Sequence, residues 1–434
     1  MRGFFAKNMK MSKINTTISR FAKTGFFHIF GGSVVNRIIT FLSSVIIVRI
    51  LSKEEYGIFT HAWNIYSIII LLNGLGVASA VLQMCSEKTG DEDYARRVCS
   101  YATRFGLTFD LLIAIALLIT GTFVPLKIQG AGELLRLLCV LPVLRLLFDL
   151  ISSYLRSQKR NQDFAKLNMI DSVVVLGISI VGAILFREKG MILGYYVAYL
   201  VTVILGFKWL KVRLLHKDAP LSRPERKALR NIAFVSMCNT GLSQLLYLLD
   251  IFVLGIVDPE ETILASYRVA TIIPSALPFI PTALVTYIYP YFAQHQNDGA
   301  WCLKRYKQTV LGLGALNLLV CGTLIGFAPW IIRLIFGAAY MDVVPIFRLL
   351  TANFFISGTF RILSGNLLVT QRKLKFNLVV AIFSGLVNVV ADFLFIRWWG
   401  PMGAALATVT VVLLTSILNT VYLIYTFKRK AKTA

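Results

Sequence analysis

Apolar runs long enough to span a bilayer recur along the whole chain, separated by short turns rich in Lys and Arg. They cover approximately residues 25–48, 57–82, 98–122, 134–155, 166–186, 191–210, 231–256, 263–291, 308–334, 343–369, 376–396 and 402–427. A helix needs about 20 mostly apolar residues to cross a hydrocarbon core about 30 Å thick. The period-2 alternation of barrel strands is not sustained in these runs. The chain is 57% hydrophobic and 15% charged, against about 45–50% and about 25% in soluble domains. The expected fold class is an all-α polytopic membrane protein with twelve transmembrane helices.

The formal net charge of +24 then reads as topology, because Lys and Arg of short loops collect on the cytoplasmic side. If the termini and even-numbered loops share one side, the other side holds only Arg49, Lys53, Lys127, Arg187, Lys189 and Arg397. Both termini are therefore expected in the cytoplasm, where a basic face suits anionic membrane lipid. The first run lacks a small-residue cleavage site and reads as a retained span. No zinc-finger, homeodomain or RRM spacing is present, so nucleic acid is not an expected partner. The six cysteines are scattered without a C-x-x-C and most fall in or beside apolar runs, so no disulfide framework or metal site is expected. No cofactor motif is present.

The two halves of the chain echo one another. Ser33-Val34-Val35-Asn36 in the first run corresponds to Ser236-Met237-Cys238-Asn239 in the seventh, and Arg136-Leu137-Leu138 to Arg348-Leu349-Leu350. The basic turn Ser157-Gln158-Lys159-Arg160 corresponds to Thr370-Gln371-Arg372-Lys373. Gly190 and Gly194 correspond to Gly400 and Gly403. Six spans per half is an even number, so the halves are parallel repeats, an arrangement that places a substrate site between them. The expected organisation is a cytoplasmic basic N-terminus (1–24), an N-terminal six-helix lobe (25–215), a cytoplasmic linker with Pro220 and Pro224 (216–230), a C-terminal six-helix lobe (231–427) and a basic tail (428–434).

Polar residues inside the spans mark candidate sites. Ser33, Asn36, Arg37 and Thr40 form one helical stripe, and Asn239, Ser243, Gln244 and Asp250 another. Lipid cannot accept such stripes cheaply, so each faces protein or a wet cavity. Arg37 and Arg268 have no acid within helical reach and are candidate anion ligands. Arg145 and Asp149 stand at i,i+4 and can neutralise each other. Asp171, Asp250 and Asp392 are candidates for proton or cation coupling. Pro274, Pro278, Pro281 and Pro290 each remove a backbone donor from the eighth run, which predicts a broken helix there.

The stretch GGSVVNRIITFLSSVIIVRILSKEEYGIF, with Arg49, Leu51, Tyr56 and Gly57 at the end of the first span, resembles the opening of Wzx-type polysaccharide flippases. These share a superfamily with MATE multidrug antiporters and the lipid II flippase. The resemblance implies two six-helix lobes around a central cavity and alternating access. It implies no enzymatic activity and a place in the cytoplasmic membrane of a bacterium or archaeon. The implied substrate is an oligosaccharide on a polyprenyl diphosphate, with polysaccharide polymerases or glycosyltransferases as partners and H+ or Na+, or the membrane potential, as driving force. Arg37 and Arg268 match by helix two cavity arginines of lipid II flippases. The second span here has none, and Arg145 is the candidate substitute; Arg49 and Arg361 complete the expected diphosphate set. Ser33, Asn36, Thr40, Asn239, Ser243 and Gln244 are expected to line the sugar path, and Asp250, Asp392 and Asp171 to couple an ion. Two alternatives stand beside this reading. A small-molecule or multidrug antiporter of the same fold would favour an acidic cavity. A membrane glycosyltransferase or polymerase would need acidic residues on a larger external loop than any present.

Overall fold

The computed structural model describes residues 26–88, 90–215 and 220–433, with the side chains of 26–37, 239, 240, 242, 243, 246, 247, 290, 374 and 433 left out. Among the described residues the regular structure is entirely helical. The first half runs α1 (Phe26–Ile50), α2 (Lys53–Ile69), a 3-10 segment (Ile70–Gly76), α3 (Val77–Glu87), α4 (Glu92–Phe123), α5 (Ala131–Leu138), α6 (Leu141–Ser157) and α7 (Asn161–Lys208). The second half runs α8 (Arg223–Val257), α9 (Glu261–Ala276), α10 (Phe279–Gln294), α11 (Gly299–Gly326) and α12 (Ala328–Ile335). A 3-10 turn (Ala338–Val343), α13 (Val344–Ile356), a π-helical turn (Ser357–Arg361), α14 (Ile362–Thr370) and α15 (Leu374–Thr433) complete it.

Polar residues at the turns set the helix starts. Ser52 and Glu55 form a reciprocal cap at α2: Ser52 N–H donates to Glu55 Oε2 at 2.8 Å and Glu55 N–H to Ser52 Oγ at 3.2 Å. Ser222 and Glu225 repeat this at α8, at 3.0 and 3.4 Å. Hydrogen bonds from the Ser222 side chain and backbone hold the Glu225 carboxyl below its usual range. Asp91 caps α4 by accepting from Tyr94 N–H, and Asp298 caps α11 from Trp301 N–H, both at 2.9 Å.

Seven helical stretches among the described residues are long and apolar enough to cross a membrane. Two of them are hairpins. The 48 residues of α7 and the 60 of α15 would extend for about 72 and 90 Å as straight helices at about 1.5 Å per residue. Each instead folds back at one left-handed residue, Arg187 (φ 55°, ψ −138°) in α7 and Gly400 (φ 53°, ψ −135°) in α15. The arms of α7 touch backbone to backbone at Gly182 and Gly190, and the arms of α15 meet at Gly403 and Phe395. Ser179 Oγ donates across the α7 hairpin to the Met191 carbonyl at 3.3 Å. The expected fourth run divides into α5 and α6, and the eighth breaks between α9 and α10 at Leu277–Pro278, where the prolines predicted it. Large apolar side chains such as Leu111, Leu112, Ile115, Leu118 and Ile119 of α4 stand exposed along one face. Such a continuous apolar face requires lipid rather than water as its solvent.

The repeat extends to single backbone bonds. Lys159 N–H donates to Arg156 O and Arg372 N–H to Val369 O, both at 3.0 Å. Arg160 N–H reaches Leu155 O at 2.9 Å and Lys373 N–H reaches Leu368 O at 3.0 Å. Lys159 and Arg372 are left-handed at φ 59° and 58°. Gln158 and Gln371 each donate to the hydroxyl of the preceding Ser157 or Thr370 at 3.4 Å. The two basic turns are one structure built twice.

The chain forms two compact units whose borders differ from the expected lobes. Unit 1 holds the described residues up to Ile50, Tyr66–Val124 and Gly132–Ser243; unit 2 holds Leu51–Ile65, Pro125–Ala131 and Gln244 onward. The described part of the expected linker, 220–230, falls within unit 1, and α2 and α8 each begin in one unit and end in the other.

The matched bends give a direct test. A Cβ at Gly400 would meet only Asp258 Oδ2 at 3.5 Å, an ordinary contact, so Gly400→Ala isolates the backbone cost. It is expected to lower stability by about 1–3 kcal/mol, read as a lower thermal midpoint in detergent. Arg187→Gly at the matching bend is expected to leave that midpoint unchanged or raise it.

Candidate functional site

In unit 2 two acids meet inside the helices. Asp250 of α8 accepts hydrogen bonds from Tyr267 Oη of α9 and Thr408 Oγ1 of α15 on the same oxygen, Oδ2, each at 2.7 Å. Asn388 and Asp392, one turn apart on α15, face the same carboxylate. Asp392 is fully buried, and neither of its oxygens has a hydrogen-bond partner among the described residues. No Lys, Arg or His pairs with either acid among the described residues. Two carboxyls this close inside a protein cannot both stay charged without a compensating positive charge. The cluster therefore calls for a proton or a small cation. Asp250 and Asp392 were expected as coupling residues, and the fold brings them together. Tyr267, Thr408 and Asn388 are additions. Only Asn388, at i−4 from Asp392, carried a local signal.

Unit 2 also contains a dense interlock between segment Leu51–Ile65 and elements of the second half. Lys53 Nζ lies 2.8 Å from Asp342 Oδ2, which also accepts from Ser266 Oγ at 2.6 Å. The Lys53 ammonium sits 5.5 Å from the Tyr340 ring centroid. Asn64 Nδ2 donates to Leu248 O at 3.0 Å, and Lys127 Nζ to Ile256 O at 2.5 Å. Tyr56 is buried, and its hydroxyl lies within electrostatic reach of the Arg268 guanidinium. Gly57 lies against the Glu261 backbone so closely that a Cβ would overlap the carbonyl group. Leu51 is buried as well. The Leu51–Tyr56–Gly57 part of the signature is thus a packing motif that seats the start of α2 against α9. Arg268 itself is exposed. Arg361 occupies the last position of the π-helical turn, partly exposed and without an ion pair among the described residues. Gln244 is exposed on α8.

Unit 1 holds a second polar cluster. Arg145 Nε lies 3.7 Å from Asp149 Oδ2, and Arg145 Nη1 donates to Tyr199 Oη at 3.4 Å. Tyr66 and Asp171 add to its surroundings electrostatically. The expected i,i+4 neutralisation is present, and the Arg145 guanidinium is engaged within unit 1. Asp171 Oδ1 is buried without a hydrogen-bond partner among the described residues. Nearby, Asp110 of α4 is fully buried and accepts from Gly74 N–H at 2.6 Å. Thr40 and Arg49 lie exposed on α1; the Thr40 carbonyl accepts from Ser44 Oγ at 3.0 Å. The side chains of Ser33, Asn36, Arg37, Asn239 and Ser243 lie outside the described residues.

Residues 46–345 match the family model described as polysaccharide biosynthesis protein. The chain belongs to the polysaccharide biosynthesis protein family. Comparison of the sequence with curated proteins gave no match. Solved structures share the fold at low identity. A MATE-family multidrug resistance transporter of the MOP superfamily, in an inward-facing conformation, matches with a TM-score of 0.73 at 16% identity, covering 92% of this chain and 96% of the other. The lipid II flippase MurJ matches with a TM-score of 0.73 at 16% identity, covering 93% and 90%. A MOP-superfamily transporter from Pyrococcus furiosus, described by the reversed polarity of its binding pocket, matches with a TM-score of 0.60 at 15% identity, covering 93% and 94%. The family member described here is accordingly a multi-pass membrane protein with the MOP transporter fold.

Gly57→Ala should test the signature. Overlap with the Glu261 backbone is expected to cost about 1–3 kcal/mol, seen as a lower thermal midpoint and reduced yield. Gly177→Ala is the control: nothing lies within 4 Å of the added carbon, and that midpoint should hold or rise.

Proposed function

We propose that this protein moves a polyprenyl-diphosphate-linked oligosaccharide across the cytoplasmic membrane by alternating access. The observation that carries the reading is the family match over residues 46–345 on a fold shared with a lipid II flippase. Fold likeness alone does not choose between a flippase and a multidrug antiporter, because both neighbours score equally. The family description supports the flippase reading, and the arginines agree with it. A diphosphate headgroup leaving water needs charge-assisted donors, which a planar guanidinium supplies two at a time. In this reading Arg268, with Arg37, receives the headgroup, Arg361 is an accessory cation, and the prenyl chain stays in lipid. Tyr56 lies within electrostatic reach of the Arg268 guanidinium, whose exposed donors are available to the ligand. Gln244 and Thr40, with Ser33, Asn36, Asn239 and Ser243, provide hydrogen-bonding walls for the sugar.

The energy comes, in this reading, from H+ or Na+ entering the Asp250–Asp392 cluster. That cluster lacks one positive charge, and the ion supplies it. Tyr267 and Thr408 belong to α9 and α15, so occupancy of the cluster tightens three helices of unit 2 at once. An ion that binds one conformation better than the other shifts the population by that difference.

Reconstituted vesicles loaded with a fluorescent polyprenyl-diphosphate sugar test the headgroup assignment. Arg268→Ala and Arg37→Ala are each expected to slow translocation about 10-fold or more, the loss of one charge-assisted hydrogen bond of about 1.5–3 kcal/mol, without lowering protein yield. Unchanged translocation in both variants refutes the assignment. In the same vesicles Asp392→Asn should abolish the response to an imposed Na+ or proton gradient while leaving equilibrative exchange measurable.

A further inference from the structure

The broken eighth run presents a face unlike the rest of unit 2. On α11 the exposed side chains include Leu311, Leu318 and Leu319, and on α15 Val379 and Leu386, the pattern that lipid demands. Among the described residues of α9 and α10, no large aliphatic side chain is exposed. Before the break, Arg268 and Ser275 are exposed and Thr271 is half-buried, at i, i+7 and i+3 of one stripe. After it, Thr282 and Thr286 are exposed at i,i+4, followed by Tyr287 and Tyr291, again at i,i+4. Tyr287 is 67% exposed and Tyr291 47%, although both stand within the α10 helix. The other side of α10 packs Val285 and Phe292 into a core with Tyr306, Leu367 and Phe427.

The hydroxyls of this face are oriented as well. Thr271 Oγ1 donates to Arg268 O and Thr282 Oγ1 to Pro278 O, both at 2.7 Å. Ser275 Oγ donates to Ile272 O at 3.0 Å and Thr286 Oγ1 to Thr282 O at 2.8 Å. Each hydroxyl proton is committed to its own helix, so what remains is acceptor capacity. Acyl chains have no donor to offer it, whereas a sugar has many. The Tyr287 and Tyr291 rings have centroids 5.6 Å apart and are inclined by 51°. Tyrosine supplies a large, rigid, amphipathic contact at low cost in side-chain entropy. A pyranose with equatorial hydroxyls has the complementary shape. Its C–H faces are flat and apolar, which suits an aromatic ring, and its rim carries O–H donors, which suit the acceptors.

We propose that the exposed face of α9 and α10 is the glycan track of this transporter, with Tyr287 and Tyr291 as a stacking platform for a pyranose ring. The inference rests on the reading of the substrate as a lipid-linked oligosaccharide and adds the residues that hold its sugar. Arg268, assigned to the diphosphate, belongs to the same run, so headgroup and glycan engage consecutive helices. Thr271, Ser275, Thr282 and Thr286 accept from the sugar rim. Tyrosines that merely anchored the protein at a membrane interface would serve lipid with or without a sugar, and the test separates the two roles.

The purified full chain in detergent is titrated with polyprenyl diphosphate bearing a cellobiosyl group and with the same lipid free of sugar. The wild-type chain is expected to bind the glycosylated lipid at least about 10-fold more tightly. Tyr287→Leu/Tyr291→Leu keeps apolar bulk, which a lipid-facing helix tolerates, and removes the flat rings. It should weaken binding of the glycosylated lipid about 10-fold, a few-fold for each ring, and leave the sugar-free lipid unaffected. Tyr287→Phe/Tyr291→Phe, which retains the rings, should stay within about 2-fold of wild type for both lipids. If the Leu pair fails to fold, Tyr291→Leu alone makes the same comparison, with a loss of about 3-fold expected. Equal wild-type affinity for the two lipids overturns the platform and leaves the flippase reading standing. So does a Leu variant that loses affinity for both lipids alike or for neither. A wild-type chain that binds neither lipid overturns the flippase reading, and the platform falls with it.

Discussion

Hydrocarbon offers no hydrogen bonds, and that single fact disciplines every feature of this chain. A helix satisfies its own backbone, so each departure from helix inside the membrane must be answered by a neighbour. The break at Asn73–Gly76, where Asn73 leaves the helical region and the next three residues are left-handed, is answered by Asp110. The bends at Arg187 and Gly400 fall between the apolar runs, and their arms return against themselves at glycine contacts. Between α9 and α10, Pro278 has no donor to lose, and its carbonyl accepts from Thr282 N–H at 3.1 Å and Thr282 Oγ1 at 2.7 Å. The irregular points of the structure are thus where polar side chains gather.

The same constraint explains the chemistry. A buried carboxylate with no counter-ion is costly, yet Asp110, Asp250 and Asp392 are buried or partly buried acids that lack a cationic partner among the described residues. By contrast Arg268 is exposed and has the neutral Tyr56 hydroxyl within electrostatic reach. Acids that need a positive charge and guanidiniums that can accept a negative one are kept apart in sequence and in partners.

Much of the architecture was legible in the amino-acid order. Hydrophobic run length gave the helices, and proline spacing gave the interruption of the eighth run. The break in the second run was not legible, because Asn73, Gly74 and Gly76 inside an apolar stretch read equally well as an uninterrupted helix with tolerated glycines. Its stabiliser, Asp110, stands on α4 and becomes a partner only through packing. Likewise the pairing of Asp250 with Asp392 joins α8 to α15 across most of the second half, a contact that no local period encodes. The π-helical turn ending at Arg361 was also silent in sequence. The border between the compact units has a related origin. Gly57 and Tyr56 seat the start of α2 against α9, so compactness cuts that run at Ile65 rather than at a loop.

The equivalence of Arg187 and Gly400 bears on how the halves relate. One position tolerates a long cationic side chain in a backbone state that glycine adopts freely, while its counterpart uses glycine itself. What the repeats preserve is therefore the path of the main chain, and the side chains that occupy it are free to diverge. Internal symmetry in chains of this kind will accordingly be under-counted by residue matching and recovered by comparing torsion angles at the turns.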